Sequence, residues 1–108
     1  MDTGELTLEQ LHNEIEPVKG EPILGHSGML LYQSNGMAGE AGEVANAVKK
    51  MIRDMADFHD GDEAVVSECG DVLFYMSRLL RLRGKTLEDA AFSLLAKLEE
   101  LRLERDRK

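Results

Sequence analysis

Four acids carry the chemistry open to this sequence. Glu40 and Glu43 stand three residues apart in Gly36-Met-Ala-Gly-Glu-Ala-Gly-Glu-Val44, and Glu68 and Asp71 stand three apart in Ser67-Glu-Cys-Gly-Asp-Val72. On an α-helix, positions i and i+3 share a face, so each segment offers two carboxylates side by side. The surrounding residues are small or apolar and recur with helical period. Ionised acids beside an apolar seam are costly unless a cation or donor compensates them. A hard divalent ion answers that need: Mg²⁺ takes oxygen ligands and keeps waters and substrate phosphate in its remaining positions. Other uses of these residues fail on their patterns. No Gly-Lys-Ser/Thr follows the glycines, so they form no P-loop. Asp54 to Asp62 lacks the ligand alternation and closing Glu of an EF-hand. No His follows a glutamate at the spacing of a di-iron bundle.

The elements that must position these acids are helical. Thr7-Leu-Glu-Gln10 has the form of a capping box, so a short helix is expected to start there and to stop near Glu16, ahead of Pro17. Lys19 to His26, with two glycines and a proline, reads as a loop crossing to the main bundle. His12 and His26 have no metal-ligand spacing and read as surface or hydrogen-bonded residues. A long helix is expected from about Met29 to Asp54, although Gly36, Gly39 and Gly42 each weaken it by about 1 kcal/mol relative to Ala. Those glycines point to the close approach of another helix or of a ligand. Val44, Val48, Met51, Ile52 and Met55 form its apolar stripe, with Glu40 inside the stripe and Glu43 at its edge. Asp54 to Asp62 reads as a connection in which Asp57, Asp60 and Asp62 are solvated turn charges.

The next helix is expected over about Glu63 to Arg83, stopped by Gly84, with Val65, Cys69, Val72, Leu73, Met76, Leu79 and Leu80 as its buried face. A short connection makes it antiparallel to the one before. Thr86 caps a last helix that turns Leu87, Ala90, Ala91, Leu94, Leu95, Leu98 and Leu101 inward and frays from Arg102 to Lys108. The fold expected is therefore all-α: one domain over residues 1–108, a four-helix-type bundle with one short N-terminal helix and three longer ones.

The totals narrow the function. With 13 Lys and Arg against 21 Asp and Glu, the formal charge of -8 argues against a nucleic-acid polymer as partner. It leaves room for a single nucleotide held through metal. In a chain of 108 residues, helices this long gain from burying a face against a second copy, so an oligomer is expected. The single cysteine, Cys69, permits no intramolecular disulfide and reads as a small buried residue in a reducing compartment. No apolar run reaches membrane-span length and no signal-peptide pattern opens the sequence, so a cytoplasmic protein is expected.

Gly36 to Lys50, then Ile52-Arg-Asp54, then Glu68-Cys-Gly-Asp-Val-Leu-Phe-Tyr75, resembles the MazG-like branch of the all-α nucleoside triphosphate pyrophosphohydrolases. That superfamily also holds dimeric dUTPases, dCTP pyrophosphatases and phosphoribosyl-ATP pyrophosphohydrolase. The resemblance covers about Leu30 to Leu98. It implies that Glu40, Glu43, Glu68 and Asp71 are catalytic Mg²⁺ ligands, with Mn²⁺ able to substitute. The implied reaction is hydrolysis of a nucleoside triphosphate, most simply a dNTP and including a modified one, to the monophosphate and pyrophosphate. It assigns Lys50, Arg53 and Lys97 to phosphate, and it implies a homodimer or homotetramer with sites formed between subunits. Tyr75 matches an aromatic position near the nucleoside pocket and Phe74 one where the family often has Trp; stacking on a base and core packing suit both. Two departures stand out: Leu94 replaces a common Asn, and the segment up to Gly28 shows little of the family's first helix. These departures keep a second reading open, a non-catalytic bundle of the same fold that binds a nucleotide or a protein.

Overall fold

The computed structural model describes residues 5–54 and 58–107, with the backbone alone at residues 58–60. Its elements are α1 (Leu8–Glu14), α2 (His26–Asp54), α3 (Phe58–Leu82) and α4 (Leu87–Asp106). No strand occurs among the described residues, so the fold is all-α as expected.

Local chemistry sets three of the helix ends. Thr7 Oγ1 accepts from the Gln10 amide at 3.1 Å while Gln10 Oε1 accepts from the Thr7 amide at 2.9 Å, closing the capping box of α1. Thr86 and Asp89 repeat the arrangement at α4, at 3.1 and 2.9 Å. At the end of α3, Gly84 takes φ +68°, its amide reaches the Arg81 carbonyl at 3.0 Å, and the Lys85 amide reaches that of Leu80 at 2.9 Å. This is a Schellman stop, which needs a left-handed residue that glycine supplies without strain.

Three boundaries differ from the sequence reading. α2 begins at His26, three residues early, and α4 runs on to Asp106 through the stretch expected to fray. α3 begins at Phe58, so most of the expected connection is helix. The reason for the last lies in packing: a Cβ on Gly61 would stand 2.9 Å from Met51 Sδ and 3.0 Å from its Cβ. That approach to α2 outweighs the poor helix propensity of the Asp- and Gly-rich run. Asp62 is exposed in the first turns of α3; Met55, Asp57 and the Asp60 side chain lie outside the described residues.

Helices α2 and α3 pair along most of their length and make the principal interface. Polar side chains tie the N-terminal segment to α3. Ser77 Oγ and His12 Nδ1 lie 2.7 Å apart, and Arg81 Nη2 donates to the His12 carbonyl at 2.5 Å. Further along, Glu21 Oε1 accepts from Arg78 Nη2 at 2.5 Å and from Gln33 Nε2 at 2.9 Å. Among the described residues, His12, Gln33 and Ser77 are buried, beside only two buried apolar residues, Ile15 and Leu87.

The expected inward face of α4 is largely outside. Leu87 is buried, but Leu94, Leu95, Leu98 and Leu101 are 56%, 54%, 48% and 60% exposed. The helix packs against α1 and the end of α3 and then runs on. The radius of gyration, 17.0 Å, exceeds the roughly 13 Å of a compact chain of this length. Cys69 is likewise exposed and not buried. It lines an apolar hollow of about 440 Å³ with Ala41, Val44, Val72 and Leu73.

Candidate metal centre

The pairing of α2 with α3 brings the acids together. Glu40 from α2 and Glu68 and Asp71 from α3 each offer one carboxylate oxygen, and these oxygens lie within 4.8 Å of one another. Glu40 and Glu68 are half-buried and Asp71 is exposed. Glu43, one turn beyond Glu40, is exposed and stands outside the three-oxygen group. It still acts on the group: partial burial first, then the charges of Asp71, Glu40 and Glu43 and a hydrogen bond with Glu40, raise the Glu68 carboxyl above its ordinary value. Clustered carboxylates resist joint ionisation. An all-oxygen donor set under that mutual repulsion fits a hard dication and suits a thiophilic metal poorly.

The other sequence-derived site residues are spread more widely. Lys50 is exposed on α2, seven residues and thus about two turns beyond Glu43. Arg53 is exposed as well and holds its neighbour Asp54 through both oxygens, Nε to Oδ1 at 2.8 Å and Nη2 to Oδ2 at 3.3 Å. Lys97 stands on the exposed stretch of α4. Tyr75 is one turn past Asp71 on α3, half-buried, with its ring edge-on to Phe74 at 5.2 Å and 89°.

Sequence reasoning passed over Glu21, Gln33 and Arg78. Glu21, in a Gly- and Pro-containing loop, carries no local sign of burial, and its partner Arg78 is 57 residues away. In the folded chain burial first, then Tyr32 and Glu40, and then this carboxylate raise the Tyr75 hydroxyl above its ordinary value.

An antiparallel helix pair that gathers carboxylates from both of its helices defines an all-α, acid-centred class of protein. The chain belongs to one family within it: the MazG nucleotide pyrophosphohydrolase domain, whose model matches residues 31–103, more than half of the sequence. It is also 40% identical over 52 residues to the Gene 37 protein of Mycobacterium phage L5. That stretch is 46% of this chain and 46% of the phage protein, so the match spans about half the length of each. No solved structure matches the chain significantly.

Proposed function

We propose that this protein hydrolyses a nucleoside triphosphate, a dNTP or a modified relative of one, to the monophosphate and pyrophosphate. The observation that supports this most is the convergence of Glu40, Glu68 and Asp71 inside the region matched by the MazG model. These residues would hold Mg²⁺, or Mn²⁺ in its place, through oxygen. A dication so bound neutralises phosphate oxygens and activates water for in-line attack. Glu43, outside the three-oxygen group, keeps its carboxylate available to take the proton of the attacking water. Lys50, Arg53 and Lys97 serve the phosphate chain, Arg53 on release from Asp54. Tyr75 serves the nucleoside.

The same reading takes the working form to be a homodimer or homotetramer. Support comes from α4: leucines about half exposed along several turns form an apolar surface that a second copy would remove from water. Among the described residues no helix is long and apolar enough to cross a membrane, and an exposed free thiol suits the reducing cytoplasm.

A pyrophosphate-release screen over standard and modified dNTPs and NTPs, with and without Mg²⁺, tests the reading. Release that requires the metal and favours some bases is the expected result. Mg²⁺-dependent nucleotide binding with no monophosphate formed would favour the non-catalytic bundle instead, a reading that the Leu94 substitution and the engaged Arg53 motivate.

A further inference from the structure

The glycines around the acids are not equivalent. A Cβ built on Gly36 would stand 2.9 Å from Tyr75 Cζ and closer still to Cδ1 and Cε1. A phenol ring lodged between two helices has no flexible end to swing away, so such a Cβ would displace the ring. Gly39, Gly42 and Gly70 meet nothing within 4 Å. Glycine inside a helix costs about 1 kcal/mol against alanine, and at Gly36 the ring accounts for it.

The place of this contact gives it a use. Gly36 is one turn before Glu40 on α2, and Tyr75 is one turn after Asp71 on α3. The ring is thus fixed against both of the helices that carry the acid group, with one part still open to solvent. Burial first, then Tyr32, Glu40, Glu21 and Asp71, raise the hydroxyl above its ordinary value, which sets it within the field of the acids.

We propose that Gly36 is a positioning residue: its missing side chain seats the Tyr75 ring against the α2 backbone and so sets the separation between the wall that takes the nucleoside and the carboxylates that serve the phosphate end. The inference rests on the nucleotide reading above. A planar base stacks on an aromatic ring whatever its identity, so Gly36 governs substrate affinity in general and leaves base preference alone.

The test is a double-mutant cycle of wild type, Gly36→Ala, Tyr75→Ala and the combined variant, with helix content as the fold control. Gly36→Ala is expected to raise KM for the best triphosphate by about tenfold, the loss of one stacked base, with kcat within about threefold. Mn²⁺ affinity measured without nucleotide stays at the wild-type value. Tyr75→Ala raises KM similarly, and the combined variant is no worse than Tyr75→Ala alone. Additive effects, an unchanged KM, or an equal loss of Mn²⁺ affinity overturns the proposal. So does a Gly36→Ala protein that cannot fold while the combined variant folds, because Gly36 would then serve packing alone. If the wild type releases no pyrophosphate from any triphosphate, the hydrolase reading fails and the cycle is read from Mg²⁺-dependent binding of an α,β-methylene dNTP. Non-additive weakening there upholds Gly36; additive weakening, none, or no wild-type binding overturns it.

Discussion

The α2–α3 hairpin and α4 hold opposite balances of polarity and burial. The hairpin carries the four acids of the candidate site, the arginine of the Arg78–Glu21 ion pair and a buried glutamine, yet its helices approach closely enough for the Tyr75 ring to press on Gly36 and the Met51 side chain on Gly61. Helix α4 is rich in leucine, yet past its first turns it has little in the same chain to pack against. Helical stability in proteins comes mainly from tertiary packing of an apolar face. The hairpin finds that packing internally, and its polar residues gather into the acid group and pin the N-terminal segment. Helix α4 has its packing surface turned outward, which is what the proposed oligomer would use.

Breaking the packed side should have the largest effect on stability. Arg78 and Glu21 leave only 11% and 8% of their side chains exposed. Arg78→Ala therefore leaves a buried carboxylate without its countercharge, with Gln33 Nε2 as its remaining side-chain donor, and is expected to cost about 3 kcal/mol in denaturant unfolding. Replacing both partners by leucine and methionine should cost far less, because no uncompensated charge remains. An Arg78→Ala protein as stable as wild type would show that the ion pair adds nothing beyond the Gln33 bond to Glu21.

Breaking the outward side separates a solvated α4 from a covered one. Leu98→Asp on a water-facing helix should shift stability by no more than about 0.5 kcal/mol. If a second copy covers the residue, the same change loses about 2 kcal/mol of burial and shifts light-scattering mass to the monomer. The covered outcome is the expected one.

A smaller effect sharpens the account of the N-terminal segment. Burial first and then the Arg81 charge hold His12 below its ordinary value of 6.5, with Asp89 opposing. A base with a depressed folded-state value stabilises the fold fully above 6.5 and progressively less as pH falls toward that depressed value, since the unfolded state binds the proton more readily. Melting temperature should therefore drop on acidification below pH 6.5, and His12→Gln, which can still bond Ser77, should flatten that drop. An unchanged slope in the variant would assign the acid sensitivity elsewhere.

Much of this architecture was legible in the sequence because its determinants are local. The capping boxes at Thr7 and Thr86, the end of α1 at Glu14 ahead of Pro17 and the left-handed Gly84 are each settled within a few residues. Acids at i and i+3 in two apolar helices also announce themselves, although which oxygens meet depends on how the helices cross. Glu40 joins the α3 pair within 4.8 Å while Glu43 stands at the margin, a distinction that spacing alone does not contain. The N-terminus of α3 departs from its local signals, because Asp and Gly mark a turn unless a residue outside the run, here Met51, supplies the packing. His12 with Ser77 and Glu21 with Arg78 are separated by 65 and 57 residues and leave no periodic trace. The face assigned inward on α4 is apolar but stays about half exposed in the single chain, since periodicity reports that a face is apolar and not what covers it.

The central claim is that carboxylates from α2 and α3 jointly hold a hard dication. Calorimetric titration with Mn²⁺ of the wild type, Glu40→Gln and Asp71→Asn tests it most directly. Each substitution leaves the helices intact and removes one charged oxygen donor from a different helix. The account predicts measurable binding by the wild type and a loss of more than about tenfold in each variant, with far-UV circular dichroism unchanged. Variants that bind Mn²⁺ as tightly as the wild type would contradict it.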